Sequence, residues 1–278
     1  MISMQDSTMY PLQAIRRCVP VAETLIKKWK DVVERNGGSM WELEVRFGQN
    51  TETGFVPGTS FKFFNTALLW FESSTEWAKV DDWTEMHEFY YRVDRTVVRS
   101  TVSFTGEGAG VHTVHKIKKK HVRQNFYCNR DMSPASHRDF ANWPDFRLEL
   151  SSEQPVTVTL PDVVDTQLVR IKQRKSFHYR LSDEGGQSLW RYDFTRCWSG
   201  QTMAEAEQNQ RSSSTVEPRY EIEIECTNPE ALLKSGDLNY IAQSLLLKTN
   251  DFYRPSVKDV LSVHRSMSLV EYFLDVAQ

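Results

Sequence analysis

Two segments at opposite ends of the chain carry an acid at every second position. Glu42-Leu43-Glu44-Val45-Arg46-Phe47 lies near the start, and Tyr220-Glu221-Ile222-Glu223-Ile224-Glu225 near the end. A β-strand sends alternate side chains to opposite faces. Each segment therefore presents a row of charges on one face and Leu, Val, Phe, Tyr or Ile on the other. Alternation alone describes the wet face of any half-buried antiparallel strand, but such faces mix signs and favour Thr, Lys and Ser. Three glutamates in a row repel one another along their face. Several carboxylates brought together need a cation, and Mg²⁺ or Mn²⁺, hard ions that take oxygen ligands, are the natural candidates.

At 278 residues and 40% hydrophobic content the chain can bury a core of its own. It reads as a single domain over 1–278, with strands over about 41–226 and flanking helices over about 11–36, 60–78 and 237–277. Its 34 basic and 37 acidic residues leave a net charge of −3. No broad basic field advertises nucleic acid, so phosphate recognition has to come from local clustering. Cys18, Cys128, Cys197 and Cys226 are scattered with no Cys-x-x-Cys pair, which points to a reduced intracellular protein with neither a zinc site nor a disulfide framework. His112 and His115 have ligand-like spacing but no companion cysteines. No apolar run approaches the ~20 residues that span a bilayer, and Met1-Ile2-Ser3-Met4-Gln5-Asp6 is no secretory signal. A soluble protein without a membrane partner is expected.

Ile15, Val19, Ala22, Leu25, Ile26, Trp29, Val32 and Val33 recur at helical spacing, with Pro20 expected to split the helix and Gly37-Gly38 to end it. The first acidic strand follows at about 41–48, and 51–58 is a turn region. A second helix is expected over about 60–78 on the stripe Phe61, Phe64, Leu68 and Phe71. The period then changes to two. Segments 85–92 and 95–104 form a hairpin around Val93-Asp94, and the glycines at 106–110 turn the chain into a strand at about 111–123. Residues 129–145 read as a loop, and strands follow at about 146–159, 167–180 and 188–197. The polar stretch 199–218 lacks apolar periodicity and reads as a long mobile loop. The last strand is 219–226, and helices beginning near Asp237 and Ser256 close the chain, the latter on the capping-box variant Ser256-Val257-Lys258-Asp259. Eight mostly antiparallel strands with helices at both ends define an α+β fold, and eight strands can close a barrel. In a barrel the acidic rows can face a hydrated lumen while the apolar rows pack outward under the helices.

Other strands supply the complementary sign. Arg170, Lys172 and Arg174 share one face, Arg99 sits mid-strand in 95–101, and Lys116, Lys118 and Lys120 alternate in the next strand. Mixed rows follow in Arg147, Glu149, Ser151 and Glu153 and in Arg191, Asp193 and Thr195. Each row alone suits a solvated face; in a barrel all of them meet in one lumen. Cations there can bind a polyphosphate while acids hold a metal that bridges its terminal phosphate, and phosphoryl transfer needs little beyond positioning and charge stabilisation. Neither a P-loop nor a Rossmann glycine pattern is present.

These residues resemble the triphosphate tunnel metalloenzymes, and within them the metal-dependent RNA 5′-triphosphatases of mRNA capping in fungi, protozoa and large DNA viruses. The resemblance spans roughly 40–226 and rests on five stretches in the family's order: Glu42-Leu-Glu44-Val-Arg46-Phe-Gly48, the strand ending Ser152-Glu153, Arg170-Ile-Lys172-Gln-Arg174, Trp190-Arg-Tyr-Asp193-Phe-Thr195 and Glu221-Ile-Glu223-Ile-Glu225. It implies that Glu42, Glu44 and Glu225 ligate Mg²⁺ or Mn²⁺, with Glu223 reaching it through water. It implies that Arg99, Lys172 and Arg174 grip the γ-phosphate, helped by Lys118 or Lys116, with Arg170 also on the substrate side. Glu153 resembles the residue that orients or deprotonates the attacking water. Arg170, Asp193, Thr195 and Glu221 resemble supports of the tunnel wall. Relatives acting on small triphosphates carry Glu-x-Glu-x-Lys in the first strand, whereas this chain has Arg46, as in the capping branch.

The resemblance implies removal of the γ-phosphate from triphosphate-ended pre-mRNA, metal-dependent hydrolysis of NTP, action in the nucleus, and no role for DNA. The chain lacks the Lys-x-Asp-Gly motif of nucleotidyl transferases, so a separate RNA guanylyltransferase is the expected partner. A stand-alone enzyme suits its length, an excised domain being the alternative. The competing functions are a tunnel hydrolase of thiamine triphosphate or inorganic triphosphate, and a noncatalytic barrel that binds RNA or polyphosphate.

Overall fold

A computed structural model describes residues 4–36, 41–93, 95–104, 111–126, 143–157, 166–179, 189–212, 215–235 and 237–253. The glycine-rich turn at 106–110, most of the loop at 129–145 and the helix expected from Ser256 lie outside them. The described strands are β1 (Trp41–Thr51), β2 (Gly54–Pro57), β3 (Trp77–Val93), β4 (Thr96–Phe104), β5 (Val111–Phe126), β6 (Asp145–Pro155), β7 (Thr166–Tyr179), β8 (Trp190–Gly200) and β9 (Arg219–Cys226). They follow the order β2-β1-β6-β5-β4-β3-β7-β8-β9, and an additional β1–β9 pairing joins the two ends. That seam sets Glu44 opposite Glu225 and Arg46 opposite Glu223. Eight strands, antiparallel at every neighbour, thus close into a barrel, as the alternating rows require.

β2 is the additional strand. The region expected to be only a turn folds back on β1 as a short hairpin, with Gly48 opposite Pro57 and Asn50 opposite Phe55. Gly54 adopts φ 129° where the chain reverses, a conformation that glycine enters without steric cost. Gly48 is fixed by packing instead. A Cβ there would lie 2.3 Å from the Val56 carbonyl oxygen and 2.7 Å from the Phe55 ring.

Five helices are described: α1 (Met4–Asn36), α2 (Phe61–Ser73), α3 (Met203–Arg211), α4 (Pro229–Ser235) and α5 (Leu238–Asp251). Pro20 does not split α1, contrary to expectation. An interior proline costs about 3 kcal/mol, but Ala22, Leu25, Ile26, Trp29 and Val33 are buried along one face of the helix, which lies against α5. Nor does α2 reach residue 78. It stops at Ser73 because Trp77 starts β3, stacking on Phe71 at 4.8 Å and donating its indole N–H to the Phe71 carbonyl at 2.7 Å.

The stretch 199–218 is likewise not a long loop. Its Thr202 caps α3, accepting from the Glu205 amide at 3.2 Å, while the Glu205 carboxylate accepts from the Gln201 amide at 2.8 Å. Ala206 packs against Val169 and Ile171 on the barrel wall. The helix buries too little apolar surface to show periodicity, although the Thr202-x-x-Glu205 pair is a capping signal.

The core lies outside the barrel. Leu43, Val45 and Phe47 of β1 join Phe146, Leu148, Tyr192, Phe194 and Ile224 beneath α2 and α5. The opposite faces of the same strands carry buried charge, including Glu44, Glu149, Glu153, Lys172, Asp193 and Glu221. No helix among the described residues is long and apolar enough to cross a membrane.

Candidate active site

The inward rows of the barrel surround a cavity of about 280 Å³. β1 contributes Glu42, Glu44 and Arg46, β9 contributes Glu223 and Glu225, and β6 contributes Glu153. The facing wall supplies Arg99 from β4, Lys116 and Lys118 from β5, and Lys172 and Arg174 from β7. Period-two geometry places them there: Leu43, Val45 and Ile224, which alternate with the acids of β1 and β9, point into the outer core instead.

Every described acid of the cavity is drawn onto a cation. The Lys118 ammonium donates to Glu42 at 2.8 Å and to Glu44 at 3.3 Å. Arg46 bridges the seam, 3.0 Å from Glu44 and 3.1 Å from Glu223. Arg99 and Lys116 hold Glu153 at 2.5 and 2.7 Å. Both candidate lysines therefore face the lumen, on different carboxylates. Arg174 lies 3.3 Å from Asp193 and 3.9 Å from Glu223, and its Nε donates to the Thr195 hydroxyl at 3.4 Å. Asp193 also accepts from Ser176 at 2.7 Å and from Arg191 at 2.8 Å. Glu221 stands 3.9 Å from Lys172.

Arg170 differs from its row-mates: it does not line the cavity, and its guanidinium lies 5.6 Å over the Tyr90 ring. Two charged residues that sequence reasoning left unassigned do line it. Glu88 accepts from Lys172 at 3.2 Å and from the Tyr90 hydroxyl at 2.8 Å, and lies 4.0 Å from Arg99. Arg191 binds Glu225 as well as Asp193. The signal for Arg191 was its place in the row with Asp193 and Thr195. Glu88 stands alone among Met86, Tyr90 and Arg92 on its face, so no charge alternation marks it.

The charges are unevenly satisfied. Burial would raise Glu44 and Glu223, but Arg46 outweighs it, with Lys118 at Glu44 and Arg174 at Glu223, and holds both below the usual carboxylate range. Burial would also raise Glu153, yet Arg99 and then Lys116 bring it down to about 2. Glu42 and Glu225 go the other way. Burial lifts Glu42 despite Lys118, with Glu153 and Glu44 adding to the shift. Burial pushes Glu225 up to about 7 against Arg191, with Asp193 and Glu42 adding to it. At these two carboxylates the paired cation does not offset burial, and their hard oxygen donors fit a divalent ion. Among the described residues no three His, Cys, Asp or Glu side chains already converge as an ion site. Glu42, Glu44 and Glu225 all line this one cavity, with Lys118, Arg46 and Arg191 as their cationic partners.

A closed eight-stranded antiparallel barrel with a lumen of alternating acids and bases is the triphosphate tunnel fold. The chain is similar to the solved RNA triphosphatase Pct1 of S. pombe, with a TM-score of 0.55 and 14% identity over 84% of this chain and 91% of that one. The same holds for Pct1 in complex with the Spt5 CTD, at 15% identity over 84% and 93% of the two chains and a TM-score of 0.55. The Mimivirus capping enzyme triphosphatase matches with a TM-score of 0.50 and 15% identity over 82% of this chain and 97% of that one. At these identities the likeness is one of fold. No protein-family model and no curated protein matches the sequence.

Proposed function

We propose that the protein is a metal-dependent RNA 5′-triphosphatase that removes the γ-phosphate of triphosphate-ended pre-mRNA and leaves a diphosphate end for capping. One observation carries the reading: a single cavity holds acids from both ends of the chain on one wall and Arg99, Lys116, Lys118, Lys172 and Arg174 on the other. The cations suit the terminal phosphates, with Arg174 offering a planar fork held by Asp193 and Thr195. Glu42, Glu44 and Glu225, with Glu223 behind them, would hold Mg²⁺ or Mn²⁺, which would neutralise charge on the transferring group. Arg99 and Lys116 keep the Glu153 carboxylate ionised, an acceptor for a hydrogen bond from water. Its role is to orient the attacking water, which suffices for a loose phosphoryl-transfer transition state. Arg170, Glu221, Asp193 and Thr195 hold the wall behind these groups.

The chemistry is confined to the triphosphate, so free NTP should also be hydrolysed when metal is supplied. The nucleus, where transcripts are capped, is the expected site of action, with an RNA guanylyltransferase acting next. The test is γ-phosphate release from triphosphate-ended RNA with and without Mg²⁺ or Mn²⁺. Metal-dependent release that stops at the diphosphate is expected. Accumulation of monophosphate-ended RNA, or strong activity on thiamine triphosphate with none on RNA, would overturn the assignment.

A further inference from the structure

The wall of the lumen made by β4 and β5 changes character along its length. Along β4 from Arg99 to Thr101 and Ser103, and along β5 from Lys116 to Val114, the lining becomes uncharged. In the other direction charge accumulates. β4 pairs with β5 over 111–116, whereas β6 pairs with it from Lys116 to Phe126. Beyond Lys116, β5 thus has β6 on one edge and, among the described residues, no strand on the other. A register shift between Lys120 and Val122 skips His121 and leaves Lys120 and Arg123 on one face.

That face meets a buried carboxylate. Glu149 is approached by Arg147 at 2.9 Å, Lys120 at 3.5 Å and Arg123 at 3.9 Å. Three cations share one acid. Arg147 is 6% exposed, and its Nε has no hydrogen-bond partner. The Phe55 ring of the β2 hairpin lies 4.5 Å from its guanidinium. Lys120 and Arg123 remain 35% and 52% exposed, open to a ligand from solvent. Burial lowers the pKa of both Lys120 and Arg147; Glu149 opposes this, and Arg46 and Arg123 add to the lowering. The cluster is short of negative charge.

We propose that Lys120, Arg123 and Arg147, which continue the β5 and β6 rows beyond Lys118 and Glu153, form a second anion subsite that takes a backbone phosphodiester of the RNA behind its triphosphate end. The inference rests on the triphosphatase reading for the direction of the chain: the triphosphate lies in the cavity and the RNA body leaves past β5 and β6. Free NTP has no phosphodiester to place there, so the subsite distinguishes RNA from nucleotide.

The full chain is tested with the rim substitutions Lys120→Ala and Arg123→Ala together, which spare the buried Arg147. Binding of a 5′-hydroxyl single-stranded oligoribonucleotide is read by fluorescence anisotropy against salt. KM is read for triphosphate-ended RNA and for ATP. Loss of the contacts to one phosphodiester should weaken oligonucleotide binding about tenfold near physiological salt and reduce the log–log salt slope by about 0.7. KM should rise in the same proportion for RNA and by a smaller factor for ATP. Equal binding by the variant and the unaltered chain would overturn the subsite. So would a loss no larger for RNA than for an acidic peptide of equal charge. If the unaltered chain releases no phosphate from RNA, the triphosphatase reading falls, while the anisotropy still decides the subsite.

Discussion

Glu44 and Glu225 face each other across the β1–β9 seam that closes the barrel. They come from opposite ends of the chain, and closure forces their charges together. Glu44 is held ionised by Arg46 and Lys118, whereas burial leaves Glu225 near neutrality at a pKa of about 7. The pair therefore joins a fixed anion to a carboxyl whose charge depends on what binds.

Replacing Glu44 by Ala should abolish metal-supported turnover while the barrel persists. Loss of groups that merely orient metal ligands costs about 10–100-fold, so a directly coordinating carboxylate should cost more. Phosphate release titrated with Mn²⁺, beside circular dichroism for the fold, checks this. Near-normal activity would remove Glu44 from the metal site.

Metal affinity should depend on pH through Glu225. Below about 7 its carboxyl carries a proton that coordination must displace. Apparent affinity should fall about tenfold per pH unit below that point and level off above it. Calorimetry in buffers of different ionisation enthalpy should show proton release near pH 6. A pH-independent affinity between 5 and 7 would contradict the assignment.

Arg174→Lys should lose about 100-fold in turnover, the scale of one lost charge-stabilising donor. Lys keeps the charge but cannot span Asp193 and the Thr195 hydroxyl while presenting a fork to phosphate. Steady-state kinetics on triphosphate-ended RNA decide the matter, and activity within twofold of the unaltered chain would refute the role.

Glu88 balances Lys172 and Arg99 inside the wall. Burial would raise its carboxyl, but these two cations bring it down to about 2 from the ordinary 4.5. Its stabilising contribution is therefore complete above pH 4.5 and is lost as pH falls towards 2. Glu88→Gln strands buried cations and should cost about 3 kcal/mol or more at pH 7. Urea denaturation from pH 7 downward should show that deficit shrinking below pH 4.5.

Gly48→Ala should destabilise the chain by about 1–3 kcal/mol, the range for an added methyl in a packed site. The new carbon would lie 2.3 Å from the Val56 carbonyl oxygen, so the β2 hairpin has to move. Thermal unfolding measures it, and an unchanged Tm would show that the hairpin is not held against β1.

The acidic and basic rows were legible because a strand's period of two is local: Glu42 and Glu44, or Lys172 and Arg174, share a face wherever the strand goes. The eight strands of the barrel, though not β2, and the preference for a barrel followed, since rows of buried charge need a lumen. What sequence did not determine depended on partners distant in the chain. Pro20 stays helical because α5 covers the neighbouring face, and α3 exists because Ala206 finds Val169 and Ile171. Glu88 is a lone acid on its face, and only packing against Lys172 and Arg99 gives it a place in the wall. Lys116, Lys118 and Lys120 look equivalent in sequence. The barrel's stagger sends the first to Glu153, the second to Glu42 and Glu44, and the third to Glu149. Side-chain direction is a property of the strand, but the partner a side chain meets is set by the register between strands, which closure of the ring fixes.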